Sequence, residues 1–195
     1  MDLSTGNNKI KTAVFISGKG SNLLSLIRFS KRKESPISIK IIISNSPKSK
    51  GLIHGKHFKI KKKIYDFNNR NLAEKKILLE LKKDKINLIC LAGFMKILSK
   101  NFIRNFKGKI LNIHPSLLPK FKGLNTHERA IKNKEKFSGC TVHYVTKKLD
   151  SGKIILQSKT KITRGETIHS LAKKVRKLEH IIYPKSIDKI FKKNN

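Results

Sequence analysis

The chain has 195 residues, 37% of them apolar, and 46 lysines and arginines against 12 aspartates and glutamates leave it at +34. That length suits one domain with a substantial core. No apolar run approaches a membrane span, and the polar start, Met1 to Lys9, lacks the apolar centre of a signal peptide.

Thr12 to Ile16 is a short apolar strand ending in Ser17-Gly18-Lys19-Gly20-Ser21-Asn22, after which Leu23, Leu24, Leu26 and Ile27 recur at helical spacing to about Lys33. Strand, glycine-rich turn and helix is the arrangement that aims backbone N–H groups and a helix dipole at an anion. The turn lacks the closing residues of a Walker loop and the third glycine of a dinucleotide fingerprint. Gly20, Ser21 and Asn22 suit a single phosphate, and an ordinary capped turn is the alternative. Ser35-Pro36 ends that helix, Ile37 to Ile43 is a β-branched strand, and a weak helix carries Gly51 and Gly55. His54 and His57 lie three apart on it without a third ligand, so they read as surface histidines rather than a metal site. Ile60 to Tyr65 is the third strand, and Asn69 to Lys83 an amphipathic helix.

Leu88 to Ala92 is a fully apolar strand closed by Gly93-Phe94-Met95, and Ser99 caps a short helix to Phe106. Ile110 to Ile113 is a buried strand that Pro115 must end. Asn112 and His114 share one face of it, because strand side chains alternate. They point the same way at a strand's C-terminal end, where ligands bind in an open α/β sheet. A helix spans Thr126 to Lys132, and Gly139 to Val145 is a strand with Thr141, His143 and Val145 on one face. After the polar loop Lys147 to Lys153, Ile154 to Ile162 is another strand. No helix-length crossover separates these two late strands, so antiparallel pairing is open to them. A last helix runs from about Glu166 to Phe191 with a bend near Pro184. Strands alternating with helices imply an α/β layer fold with a largely parallel sheet.

Cys90 and Cys140 sit in apolar runs without metal-ligand spacing, which points to buried, reduced thiols in a cytoplasmic protein. The charge has two readings, a nucleic-acid partner or a compositional bias toward A+T-rich codons. Lysine, isoleucine and asparagine are abundant together and the basic residues are spread along the chain, which favours composition. Non-specific, salt-dependent retention on DNA would follow from charge alone.

Asn112 and His114 suit acyl transfer, since a carboxamide N–H and a protonated imidazole can stabilise a tetrahedral oxyanion. The imidazole needs a carboxylate to orient it and raise its pKa. Acids are scarce, and Asp150 in Leu149-Asp150-Ser151-Gly152 is the natural candidate. No reactive cysteine or nucleophile elbow favours a covalent intermediate. Arg176 and Glu179, three apart on the last helix, share a face. They form either a surface ion pair or a cation for phosphate beside a carboxylate for sugar hydroxyls.

Five motifs occur in order: Ser17-Gly-Lys-Gly-Ser-Asn22, Leu91-Ala-Gly-Phe-Met95, Leu111-Asn-Ile-His-Pro-Ser-Leu-Leu-Pro119, Leu149-Asp150-Ser-Gly and Glu179-His-Ile-Ile-Tyr-Pro184. Together, from about Lys11 to Phe191, they closely resemble the folate-dependent formyltransferases, and the first and last favour the glycinamide ribonucleotide branch. The resemblance implies a Rossmann-like N-terminal half and a seven-stranded, mostly parallel sheet with one antiparallel strand, flanked by helices. It implies a flexible extension over 1–10 and one domain over 11–195. Residues 11–100 would form the nucleotide-phosphate half and 101–195 the folate-binding and catalytic half. It places phosphate on Gly20, Ser21 and Asn22, ribose on Glu179, and a substrate contact on Arg176. Folate falls on Arg70, on Met95, Lys96, Ile97 and Leu98 through backbone groups, and on Asn112, Thr146, Lys147, Lys148, Leu149 and Asp150. The catalytic trio is Asn112, His114 and Asp150, with His114 held protonated by Asp150. The implied co-substrate is 10-formyltetrahydrofolate, without a metal, the acceptor is phosphoribosylglycinamide, and the assembly a monomer or homodimer. Another folate formyltransferase or a formyltetrahydrofolate hydrolase is the alternative, and a basic nucleic-acid-binding protein a distant one. Lys96 stands where arginine is usual, Lys147 and Lys148 where acidic residues are common, and Lys19 is unusual in its turn.

Overall fold

In the computed structural model, which describes residues 9–192, all seven strands belong to a single sheet and all but one run the same way. Positions 1–8 of the expected N-terminal extension lie outside the described residues. β1 (Ile10–Ile16), β2 (Ile37–Ser44), β3 (Lys61–Ile64), β4 (Leu88–Leu91), β5 (Lys109–His114), β6 (Phe137–Tyr144) and β7 (Ile154–Lys161) form one seven-stranded sheet in the order β3-β2-β1-β4-β5-β6-β7. Pairing is parallel from β3 to β5. β6 pairs antiparallel with both β5 and β7 and is the one reversed strand. Its short link to β7 leaves no room for a crossover helix, as the sequence suggests.

The helices are α1 (Ser21–Ser30), α2 (Leu52–His57), α3 (Arg70–Lys83), α4 (Lys100–Asn105), α5 (Thr126–Lys132) and α6 (Ile168–Phe191). Two cores fill the faces of the sheet. On one, Leu23, Leu26 and Ile27 of α1 and Leu171, Val175 and Tyr183 of α6 pack on Val14, Cys90 and Leu111. On the other, Ala73, Ile77 and Leu81 of α3 and Phe102 of α4 cover Phe15, Ile43 and Ile89. β4 is apolar throughout, and β1 and β2 carry apolar runs at Ala13 to Ile16 and Ile41 to Ile43, because both faces of the sheet are covered there. β3, at the edge, exposes Lys61, Lys62 and Lys63, and such charges discourage edge-to-edge pairing. Burial pushes both thiols, Cys90 and Cys140, up to about 12, so they act as small apolar groups.

Local signals set the element ends. Asn69 and Ser99 accept from Leu72 N and Phe102 N and so cap α3 and α4. The last helix begins at Ile168 rather than Glu166, because Thr167 caps it by accepting from Ser170 N. It continues through Pro184. Proline has no N–H for the carbonyl of His180 one turn earlier, and Ser25 Oγ of α1 donates to that carbonyl at 2.9 Å instead. The Tyr183 hydroxyl lies 3.1 Å from both the Leu91 and Leu111 carbonyls, donating between the C-terminal ends of β4 and β5.

The strand order reverses between β1 and β4, the place where open α/β sheets form a crevice. Ser17, just past β1, fastens the two sides. Its N–H donates to Gly93 O at 3.1 Å, its hydroxyl accepts from Met95 N at 2.8 Å, and the same hydroxyl donates to Asn45 Oδ1 at 2.5 Å.

Candidate active site

A cavity of about 560 Å³ opens at the C-terminal ends of β4 and β5. Its floor carries Asn112, His114 and Asp150, which the fold brings together from β5 and the loop after β6. His114 Nδ1 lies 3.4 Å from Asp150 Oδ2, wider than a good hydrogen bond. His114 Nε2 donates to the Phe121 carbonyl at 2.9 Å. Asp150 adopts a left-handed backbone, φ 43°, which aspartate tolerates better than most residues. That turn directs its carboxylate inward, where Oδ2 accepts from Gly123 N at 2.9 Å.

The sequence pattern gave His143 a face but no role. β5 and β6 pair Asn112 opposite His143 and His114 opposite Thr141. His143 Nδ1 donates to Tyr144 O at 2.9 Å, which leaves Nε2 to accept from Asn112 Nδ2 at 3.3 Å. One amide hydrogen of Asn112 is thereby anchored and the other remains for a ligand. His143 Nε2 is also 3.6 Å from Asp150 Oδ1. Only strand alternation pointed toward His143; its partner depends on the pairing register.

The electrostatics correct one expectation. Burial pulls the His114 pKa below its ordinary 6.5, and this outweighs the Phe121 carbonyl and Asp150, which both raise it. His114 is therefore not held protonated at rest. Burial also opposes ionisation of Asp150. The nearby His143 ring, the hydrogen bond from Gly123 N–H and the His114 imidazole nevertheless bring its pKa below the ordinary carboxylate value. The carboxylate stays charged and ready to face an imidazolium.

Met95, Lys96, Ile97 and Leu98 form one wall of the cavity and Thr146, Lys147, Lys148 and Leu149 another. The Met95 N–H is already donated to Ser17. Arg70 does not line the cavity; it opens α3, three residues after Phe67, whose ring packs edge-on against Phe94.

The phosphate candidates form a second locus outside that cavity. Gly20, φ 75°, precedes α1, and Ser21 and Asn22 open the helix with N–H groups that have no intrahelical partner. A Cβ on Gly20 would lie 2.6 Å from Gly51 Cα, so the turn is seated on bare backbone at the start of α2. Gly18 O accepts from Gly51 N at 3.0 Å and Ser49 Oγ at 2.9 Å. Asn22 Nδ2 donates to Glu179 Oε2 at 2.8 Å, while Asn22 Oδ1 is buried without a partner among the described residues. Burial raises the Glu179 pKa, with Asn22 and Arg176 opposing it. Arg176 is exposed and forms no ion pair with Glu179 among the described residues, which removes the surface-pair alternative. No group of three His, Cys, Asp or Glu side chains able to hold a metal occurs among the described residues. No described helix is long and apolar enough to cross a membrane.

Comparison with known proteins gives a consistent result. Residues 10–187 match the formyl transferase family model. The chain is 41% identical over 177 residues to the phosphoribosylglycinamide formyltransferase of Haemophilus influenzae, covering 89% of this chain and 84% of that enzyme. It is 42% identical over 182 residues to the human trifunctional purine biosynthetic protein adenosine-3, covering 92% of this chain but only 18% of that protein's length. Among solved structures, the Brucella melitensis phosphoribosylglycinamide formyltransferase superposes with a TM-score of 0.90 at 38% identity, covering 96% of this chain and 98% of that one.

Proposed function

The chain belongs to the formyl transferase family, and from that premise we propose that it transfers the formyl group of 10-formyltetrahydrofolate to the amine of 5-phosphoribosylglycinamide. The observation that carries the reading is the meeting of Asn112, His114 and Asp150 at the floor of a cavity walled by residues 95–98 and 146–149. A floor of donors beside a charged carboxylate suits a reaction that builds an oxyanion.

The neutral amine attacks the formyl carbon and the carbonyl electrons move onto oxygen. The free amide hydrogen of Asn112 stabilises that oxyanion. His114 is neutral at rest, and the negative charge beside it raises its proton affinity. It takes the proton released by the attacking nitrogen and becomes an imidazolium facing Asp150. The proton passes to N10, directly or through water, as the C–N10 bond breaks. Gly20, Ser21 and Asn22 hold the phosphate, with Arg176 as a nearby cation. Glu179, steadied by Asn22 Nδ2, accepts from the ribose hydroxyls.

The test follows consumption of 10-formyltetrahydrofolate with and without the ribonucleotide. Consumption that depends on the ribonucleotide is expected, while ribonucleotide-independent loss would indicate hydrolysis. His114→Ala and Asp150→Asn should each lose most activity, and full transfer by either variant would overturn these roles.

A further inference from the structure

His54 reads from the sequence as a surface histidine, yet the fold sets its ring against the turn that precedes α1. Gly51 N–H donates to Gly18 O at 3.0 Å and Ser49 Oγ donates to the same carbonyl at 2.9 Å, which fixes the start of α2 on that turn. Three residues on, along the same face of α2, His54 Cδ2 lies 3.4 Å from the point that a Cβ on Gly20 would occupy. Nε2 is one bond from that carbon. The ring is partly buried, and neither nitrogen enters a hydrogen bond or ion pair among the described residues, unlike those of His114 and His143. Other cations gather along α1. Burial, then His57 and Arg28, pull the His54 pKa below 6.5. On α6, burial, then Arg176 and Arg28, do the same to His180, whose Nε2 is buried without a partner among the described residues. Arg28 is exposed on α1, within electrostatic reach of imidazoles on both flanking helices. The carboxylate beside Arg176, Glu179, is buried and already accepts from Asn22. This arc of positive charge is best answered by an anion arriving from outside.

We propose that His54 is a further phosphate-holding residue, donating through Nε2, as an imidazolium, to a phosphate oxygen beside the N–H groups of Gly20, Ser21 and Asn22. This role rests on the formyl-transfer reading, whose phosphate seat it completes. A phosphate monoester carries close to two negative charges at about pH 7. A helix N-terminus offers only about half a positive charge against them. The dianion raises the proton affinity of the ring beside it. The imidazole is therefore charged in the complex, although burial, His57 and Arg28 oppose that charge in the free chain. Hydrogen bonds between two charged partners are the strong ones, and one such bond in a partly open seat supports roughly a tenfold gain in affinity.

The experiment measures equilibrium binding of ribose 5-phosphate to the full chain, together with kcat and the two KM values for phosphoribosylglycinamide and 10-formyltetrahydrofolate. It compares the native chain, His54→Ala, His54→Lys and a control, Lys56→Ala, which removes an exposed cation from the same helix. His54→Ala should raise Kd for ribose 5-phosphate and KM for the ribonucleotide about tenfold, with kcat and the folate KM little changed. His54→Lys, a permanent cation on a longer stem, should recover most of that loss, and Lys56→Ala should lose no more than about twofold. Unchanged binding in His54→Ala overturns the proposal. So does a His54→Lys variant as weak as the alanine one, a control that loses as much, or a native chain that does not hold ribose 5-phosphate. A native chain that holds ribose 5-phosphate but leaves 10-formyltetrahydrofolate unconsumed in the presence of ribonucleotide would instead strike the formyl-transfer reading itself.

Discussion

At His114 burial and charge pull in opposite directions, and the imidazole rests neutral although a carbonyl and a carboxylate face its two nitrogens. In the proposed reaction such a group, neutral near pH 7, gains its proton as an anion forms beside it. In the proposed reaction Asn112 supplies the companion donor, and Asn112→Ala should lower kcat by about 10²–10³, the usual loss for one oxyanion donor. On this reading His143 acts through Asn112, whose amide it touches, rather than on the substrate. His143→Ala should cost roughly 10–100-fold in kcat by freeing the carboxamide to swing. In His143→Asn, Nδ2 is the partner available to the Asn112 Oδ1, so the flipped carboxamide should still be held and part of the rate recovered. An unchanged rate in His143→Ala would show that the 3.3 Å contact does not position the amide. Asp150 was legible in the sequence because so few acids were available to pair with an imidazole. His143 was not, because alternation gives a face while the partner across the ladder is set by register.

The β1–α1 turn and the start of α2 form one packing unit. Gly51 has an ordinary φ of −63°, so a methyl there introduces no backbone strain. Its Cβ would instead stand 2.8 Å from Ile16 Cδ1 and 2.9 Å from Gly20 Cα. Gly51→Ala should therefore displace the turn that is proposed to hold phosphate. KM for the ribonucleotide should rise several-fold, with KM for the folate little changed. Equal rises in both would point to general damage. The helical positions of Leu23, Leu26 and Ile27 were readable because burial on one face imposes their spacing. The cap at Ser99 followed from side-chain chemistry alone. Gly51, by contrast, looked like any glycine in a weak helix, since its reason is a neighbour 31 residues earlier. Arg70 shows the opposite limit. Its resemblance-based folate role does not bring it to the cavity wall in the structure.

For the molecule as a whole, titration should set an acid limit to stability. Burial brings the pKa values of His54, His114, His127 and His180 below 6.5. The unfolded chain takes up protons at these histidines first, so stability falls as pH drops through 6.5. Asp150, with its pKa lowered, and Glu166, lowered to about 2 chiefly by Lys174, extend the loss at lower pH. Glu179 has the opposite sign; its raised pKa favours the folded state below the ordinary 4.5 and opposes it above. Tm should therefore fall as pH drops through 6.5, the ordinary imidazole value. A flat or rising Tm would show that the four imidazoles are not the controlling groups. The fastening at Ser17 has a kinetic consequence as well. The turn proposed to hold phosphate and the wall proposed to hold folate leave different strands, yet one hydroxyl and one amide tie them together before any ligand arrives. Neither seat waits for the other to be built, so the two substrates are expected to bind in random order, each able to arrive first.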